Sequence, residues 1–243
     1  MKVKTKHKRY IESSEGTIRI EFDEYHFSDN CFHIDMRFAC RKLNNQNFKS
    51  IGCAEFYAYI GSVFVAEDIW YTDSYQWQED FGLKVWDAEN QEFKKEYQCT
   101  DFEDALNSDV VFTLNEFIFN PEFRGRGMLK TIMDEFKDIY KLGTILVYPF
   151  PLDNSISISD YEFHDNWQKV KKSYERAGFL PVDHDKDFYY LEIESKVNIY
   201  RQDKDFFKQN LILWNFYNLE HVQEGFEAEN SNPREMVHIS CNL

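Results

Sequence analysis

An α+β fold is what this sequence predicts. Three observations carry that expectation: runs rich in β-branched and aromatic residues at Thr17 to Phe27, Cys31 to Arg41, Ser50 to Ile60 and Asp109 to Phe119; an amphipathic helix from Met128; and a further strand, helix and hairpin that close by residue 193. Composition agrees, because a chain 43% hydrophobic, 18% aromatic and 29% charged is a folded domain and not a disordered one. Its 243 residues suffice for a sizeable core.

The opening Met1 to Arg9 is basic, and the Tyr10-Ile-Glu-Ser-Ser-Glu after it gives no apolar stretch for a signal peptide. No apolar run reaches the roughly 18 residues of a membrane span. A cytoplasmic protein with no membrane partner is therefore expected. Cys31, Cys40, Cys53, Cys99 and Cys241 are odd in number and hold no C-x-x-C pair, so reduced thiols are expected, with neither a disulfide frame nor a zinc site. The formal charge is −15 although five of the first nine residues are basic. Such a field repels nucleic acid and favours cationic partners.

The first two strand runs meet at Ser28-Asp-Asn30, a hairpin signal, and Asn44 to Asn47 mark a turn before the third. Paired in sequence, these runs form an antiparallel meander leading to the strand at 109–119. Between them, residues 62–108 hold Phe64, Trp70, Tyr71, Tyr75, Trp77, Phe81, Trp86, Phe93 and Tyr97 among many acids. Phe93, Tyr97, Phe102 and Leu106 predict a helix over 89–106. The segment reads in two ways: an aromatic subcore with a solvated acidic face, or an acceptor-side segment that holds a cationic amine through cation–π and ion-pair contacts.

The strand ending at Phe119 is stopped by Asn120 and Pro121. Alternation places Glu116 on one face with Phe112, Leu114 and Ile118, where desolvation raises a carboxyl pKa toward that of a neutral-pH base. An edge carboxylate that reaches water or pairs with a Lys is the other reading. Glu55 is the reserve base; His164 and His184 fall in loops. Arg124-Gly-Arg-Gly127 then makes a tight loop before a helix whose apolar stripe is Met128, Leu129, Ile132, Met133, Phe136, Ile139 and Tyr140, ended by Gly143. Strand, glycine loop and helix N-terminus in that order form an anion site suited to phosphate. The P-loop ending and the dinucleotide glycine pattern are both missing, which argues against ATP and NAD. Gly143 to Pro149 reads as a second buried strand, 152–163 as a polar insertion, and a helix from His164 or Asp165 carries Trp167, Val170, Tyr174 and Ala177 to a stop at Gly178. Phe179 to Val182 and Phe188 to Ile193 close as a hairpin.

Pro121-Glu-Phe-Arg124-Gly-Arg-Gly127-Met-Leu129 resembles the acetyl-CoA loop of the GNAT family of N-acetyltransferases, whose signature is Arg/Gln-x-x-Gly-x-Gly/Ala; Leu129 stands where the family has Gly or Ala. The strand after the loop helix and the Tyr174-Glu-Arg-Ala-Gly178-Phe179 close of the next helix follow the family order over 109–193. The resemblance implies a GNAT-like fold with a central mixed, mostly antiparallel sheet flanked by helices, in a domain spanning 1–195 with its cofactor-binding core at 109–193. It implies acetyl-CoA held by the main chain near Phe117 and Phe119, its pyrophosphate on Arg124, Gly125, Arg126, Gly127, Met128 and Leu129, and Asn166 near a cofactor-contacting position. Tyr174 would be the general acid, with Glu116 as the base. The activity implied is acetyl transfer to a primary amine, a cationic small molecule or a lysine of a basic protein; the alternative is an inactive module that binds CoA or a protein partner. Residues 196–243, outside the resemblance, are expected to be a helical extension and to pack on the domain or on a second copy as a homodimer.

Overall fold

The computed structural model describes residues 3–13, 16–28, 31–43, 45–60, 75–108, 110–150 and 160–193. Period-two alternation in the first 60 residues builds four long strands, β1 (Val3–Ser13), β2 (Gly16–Ser28), β3 (Cys31–Lys42) and β4 (Lys49–Ile60). Helix α1 (Gln76–Val85), the short pair β5 (Trp86–Asp87) and β6 (Glu92–Phe93), and helix α2 (Asp101–Leu106) follow. The rest is β7 (Val110–Phe119), a 3-10 turn at Pro121–Phe123, α3 (Met128–Tyr140), β8 (Gly143–Val147), α4 (Asp160–Arg176), β9 (Leu180–Val182) and β10 (Asp185–Ile193).

One eight-stranded sheet has the order β1-β2-β3-β4-β7-β8-β10-β9. Every neighbouring pair in it is antiparallel except β7 and β8, which run parallel with α3 as the crossover. The expected α+β class and mostly antiparallel sheet are present. The chain divides after Lys196, and all described residues belong to the first unit. The expected extension over 196–243, Cys241 and most of the 152–163 insertion lie outside the described residues.

Three elements differ from the sequence reading, one of them α4, which begins at Asp160 and so holds His164 inside the helix and not in a loop. The basic N-terminal stretch is strand β1, in which Lys8 pairs with Glu21 and Arg9 with Asp138 of α3. Of the helix expected over 89–106 only Asp101–Leu106 forms, because Gln91 and Cys99 take positive φ values of 55° and 57° and break the chain into turns. Thr100 then caps α2 by accepting from the Glu103 N–H. The long helix of this region is α1, whose Trp77, Phe81 and Val85 recur four residues apart.

The sheet has two unlike faces. On one, α3 lays Phe136 against Phe56 at 4.5 Å and Phe112 at 5.0 Å between centroids, and Ile20, Phe22, Ile34 and Met36 continue the apolar layer. A buried ring of this kind contributes on the order of 3–5 kcal/mol relative to Ala. Helix α4 joins the same face, since Tyr189 of β10 donates to Glu175 at 3.1 Å. The opposite face is covered by α1 and α2, whose Phe81, Val85, Phe102 and Leu106 pack on Val111, Leu146, Phe188 and Tyr190.

A carboxyl is locked inside the α3 face. Glu24 is fully buried and accepts from the Tyr140 hydroxyl at 2.7 Å. Burial raises its pKa to about 7, with the Tyr140 hydrogen bond pulling the other way. An acid whose folded pKa exceeds its unfolded value binds more protons folded than unfolded, so its stability penalty is absent below pH 4.5, grows as pH rises and is complete above about 7. Glu24→Gln removes this dependence, so the variant should gain on wild type by about 3 kcal/mol between roughly pH 4 and pH 8 in urea denaturation. A difference between the two proteins that stays constant with pH would contradict the assignment.

Candidate functional site

The sheet opens where β7 meets β8. Their parallel pairing runs only from Val111–Thr144 to Leu114–Val147. Past Val147 the chain turns, with the Phe150 N–H donating to the Tyr148 carbonyl at 2.8 Å. Asn115 to Phe119 therefore keeps β4 on one side and, among the described residues, no strand on the other. Backbone groups alternate in direction along a strand, so this stretch turns N–H and C=O groups toward the open side.

At the same place the register with β4 slips. Phe56 faces Leu114 and Glu55 faces Glu116, which leaves Asn115 as the extra residue of a β-bulge. One inserted residue reverses the alternation, and this corrects the sequence reading of Glu116. Leu114 and Phe112 belong to the α3 face, whereas Glu116 shares the α1 face with Glu55, keeping only Ile118 of its expected neighbours.

On that face the registers bring Asp23, Asp35, Glu55 and Glu116 into one row across four strands. Arg37 pairs with Asp23. The His33 Nε2–H donates to Glu55 Oε1 at 2.6 Å and lies 3.4 Å from Asp35 Oδ1; the Tyr75 hydroxyl donates to Glu55 Oε2. Burial alone would raise Glu55, yet the hydrogen bonds from His33 and Tyr75 hold it below the ordinary value. Burial would lower His33, but Glu55 and Asp35 win and raise it. Glu116 is raised, first by burial and then by the charge of Glu55. Two adjacent carboxyls pushed in opposite directions are the arrangement in which one stays ionised and the other handles a proton. His33, Asp35 and Glu55 also offer one ligand atom each within 4.8 Å of one another, so they could bracket a cation.

The loop leaves β7 in a fixed path. Asn120 N–H donates to the Ile51 carbonyl at 2.9 Å, and Arg124 Nε donates back to the Phe119 carbonyl at 2.9 Å. The Arg126 guanidinium lies over the Phe123 ring, 5.6 Å from its centroid. Gly125 and Gly127 take φ values of 73° and 74°, which glycine adopts at little cost, and no atom lies within 4 Å of where their Cβ atoms would stand. Gly127 caps α3 without a side-chain hydrogen bond, and no acid sits in the first turn. Two arginines thus flank the positive end of the helix, a setting that attracts an anion. Met128 and Leu129 are half-buried at the helix start, and Phe117 packs its ring on Phe38 and Phe119.

Tyr174 is buried on α4, edge-to-face with Phe179 at 5.1 Å. Burial raises its pKa, keeping the phenol protonated. It stands on the α3 face, the side of the sheet away from Glu116. Asn166 is exposed on the same helix. No family model matches the chain, and neither a curated protein nor a solved structure matches it.

Sequence reasoning missed the setting of Glu116 because nothing local announces the bulge at Asn115. It also missed His33 and Asp35, whose i, i+2 spacing on a strand was the available signal. Replacing the neighbouring charge tests the coupling: in Glu55→Gln, Glu116 should titrate at lower pH than in wild type by carboxyl carbon NMR, and an unmoved midpoint would show the two carboxyls do not interact.

Proposed function

We propose that the protein is an N-acetyltransferase of the GNAT kind, which moves the acetyl group of acetyl-CoA to a primary amine. The observation that carries this reading is the gap between β7 and β8, bounded by the bulge at Asn115 and followed by the Gly125–Gly127 loop and a start of α3 that has no side-chain cap. A thioester arm lying along the open edge of β7 leads to an anion-attracting helix end at its far side. The pantetheine and pyrophosphate of CoA would then lie along one run of chain.

Acetyl-CoA supplies the activated acyl group when bound. Main-chain N–H groups of Asn115 to Phe119 orient and polarise the thioester carbonyl, and the loop donors with Arg124 and Arg126 hold the pyrophosphate. On the α1 face Glu116, beside an ionised Glu55, takes the amine proton. On the α3 face the protonated Tyr174 returns a proton to the departing thiolate. The acidic row Asp23, Asp35 and Glu55 attracts a cationic acceptor. Leu129, half-buried where the family keeps Gly or Ala, favours a second reading, a module of the same fold that binds CoA or a protein partner without catalysis.

Calorimetry decides first. Acetyl-CoA should bind with a Kd on the order of 1–100 μM, and no heat at millimolar ligand would reject the enzyme and the CoA-binding module alike, leaving only a module that binds a protein partner. With an amine present, Tyr174→Phe should lower kcat by about 100-fold with little change in acetyl-CoA affinity. Binding without turnover in the wild type favours the inactive module, and an unchanged kcat in the variant removes Tyr174 as the acid.

A further inference from the structure

A cleft of about 270 Å³ lies on the α1 face, lined by Trp77, Asp80, Leu83, Lys84, Tyr148, Asp187 and Phe188. Its floor is aromatic. Phe188 stands between Trp77, 6.3 Å away and inclined by 35°, and Tyr148, 5.1 Å away and inclined by 37°. The rings already receive a cation: the Lys84 ammonium lies 5.0 Å from the Phe188 centroid while donating to Asp185 at 2.8 Å.

The cleft borders the β7–β8 gap. Tyr148 is the first residue beyond Val147, whose β7 partner Leu114 immediately precedes the bulge. Gln78, next to Trp77, is fully buried and donates to Thr113 Oγ1 at 2.8 Å and to Asn115 Oδ1 at 3.3 Å, which fixes the start of α1 beside the bulge. Tyr75, two residues before Trp77, donates to Glu55. Aromatic floor, gap and carboxylates therefore succeed one another along a single face.

We propose that this cleft seats the flat apolar body of a compact monoamine, an arylalkylamine by chemical class, with its amino group directed past Tyr75 toward Glu55 and Glu116. The direction of the amine rests on the acetyl-transfer reading; the seat does not. Three features select this class. The rings offer stacking surface to a flat body, which a lysine side chain or a polyamine leaves unused. Asp80 in the lining draws a cation inward, while Asp187 is already engaged by Lys171 at 2.7 Å. Lys84 on the far wall meets any second ammonium with like charge, and the volume lies just below the roughly 300–1,000 Å³ of pockets for larger ligands.

The test titrates the full chain with phenethylamine, spermidine and a lysine peptide by calorimetry, then compares their acetylation with acetyl-CoA present. Phenethylamine should bind with a Kd below about 1 mM and at least about 10-fold tighter than either competitor, Trp77→Ala should weaken it about 10-fold, and Trp77→Phe should restore most of the loss. Circular dichroism checks that both variants stay folded. No saturable heat with phenethylamine at about 10 mM, preference for spermidine or the peptide, or wild-type binding by a folded Trp77→Ala would overturn the seat. Phenethylamine binding without any acetyl-CoA binding supports the seat and rejects the acetyl-transfer reading. Acetylation of spermidine or the peptide but not of phenethylamine rejects the direction assigned to the amine and leaves the acetyl-transfer reading standing.

Discussion

The single extra residue at Asn115 is the constraint on which the site depends. Without it β7 would keep strict alternation, and Glu116 would enter the apolar layer beneath α3, where an ionised carboxylate is costly. With it, the strand carries Leu114 inward on one face and Glu116 outward on the other. The same irregularity coincides with the end of pairing to β8, and Gln78 holds the bulged residue through its side-chain oxygen. Re-aimed side chain and open backbone edge thus arise from one local event. β-Bulges are a common means of turning a strand away from its neighbour next to a functional site.

The two faces divide the labour. The α3 face is a continuous apolar layer from Ile20 on β2 to Leu191 on β10, and its main polar intruder, Glu24, is tied to Tyr140. The α1 face is apolar only where α1 and α2 cover it; toward β2 and β3 it changes to carboxylates, His33 and Arg37. Tyr174, kept protonated by burial, and Glu55, kept ionised by His33 and Tyr75, lie on different faces of the sheet. Their protonation states differ because the sheet separates their surroundings.

Much of the fold was legible because strong patterns and strong packing agree. The strands at 17–27, 31–41 and 50–60 are rich in β-branched and aromatic residues, and the stripe of α3 from Met128 to Tyr140 packs as its period requires. The loop's shape was legible for the same reason, since two glycines between a strand and an amphipathic helix mark a tight turn, and Gly125 and Gly127 take positive φ there. What escaped reading lay where tertiary contacts overrule local pattern. In β1 the charges of Lys8 and Arg9 hide the alternation until partners on β2 and α3 receive them. In 89–106 the aromatic spacing looked helical, but Phe93, Tyr97 and Phe102 reach one cluster through separate turns. The pairing of Glu55 with Glu116 needed a register that no short window contains.

The ends of the sheet order bear on how the molecule behaves in a crowd. β1 lies at one margin and presents Lys8 and Arg9, while β9 at the other is three residues long and contains Pro181, which has no N–H to offer. A wide, aromatic-rich sheet is a template onto which foreign strands could add. Like charges set face to face along one rim, and a donor missing from the other, make such lateral growth into fibrils unfavourable.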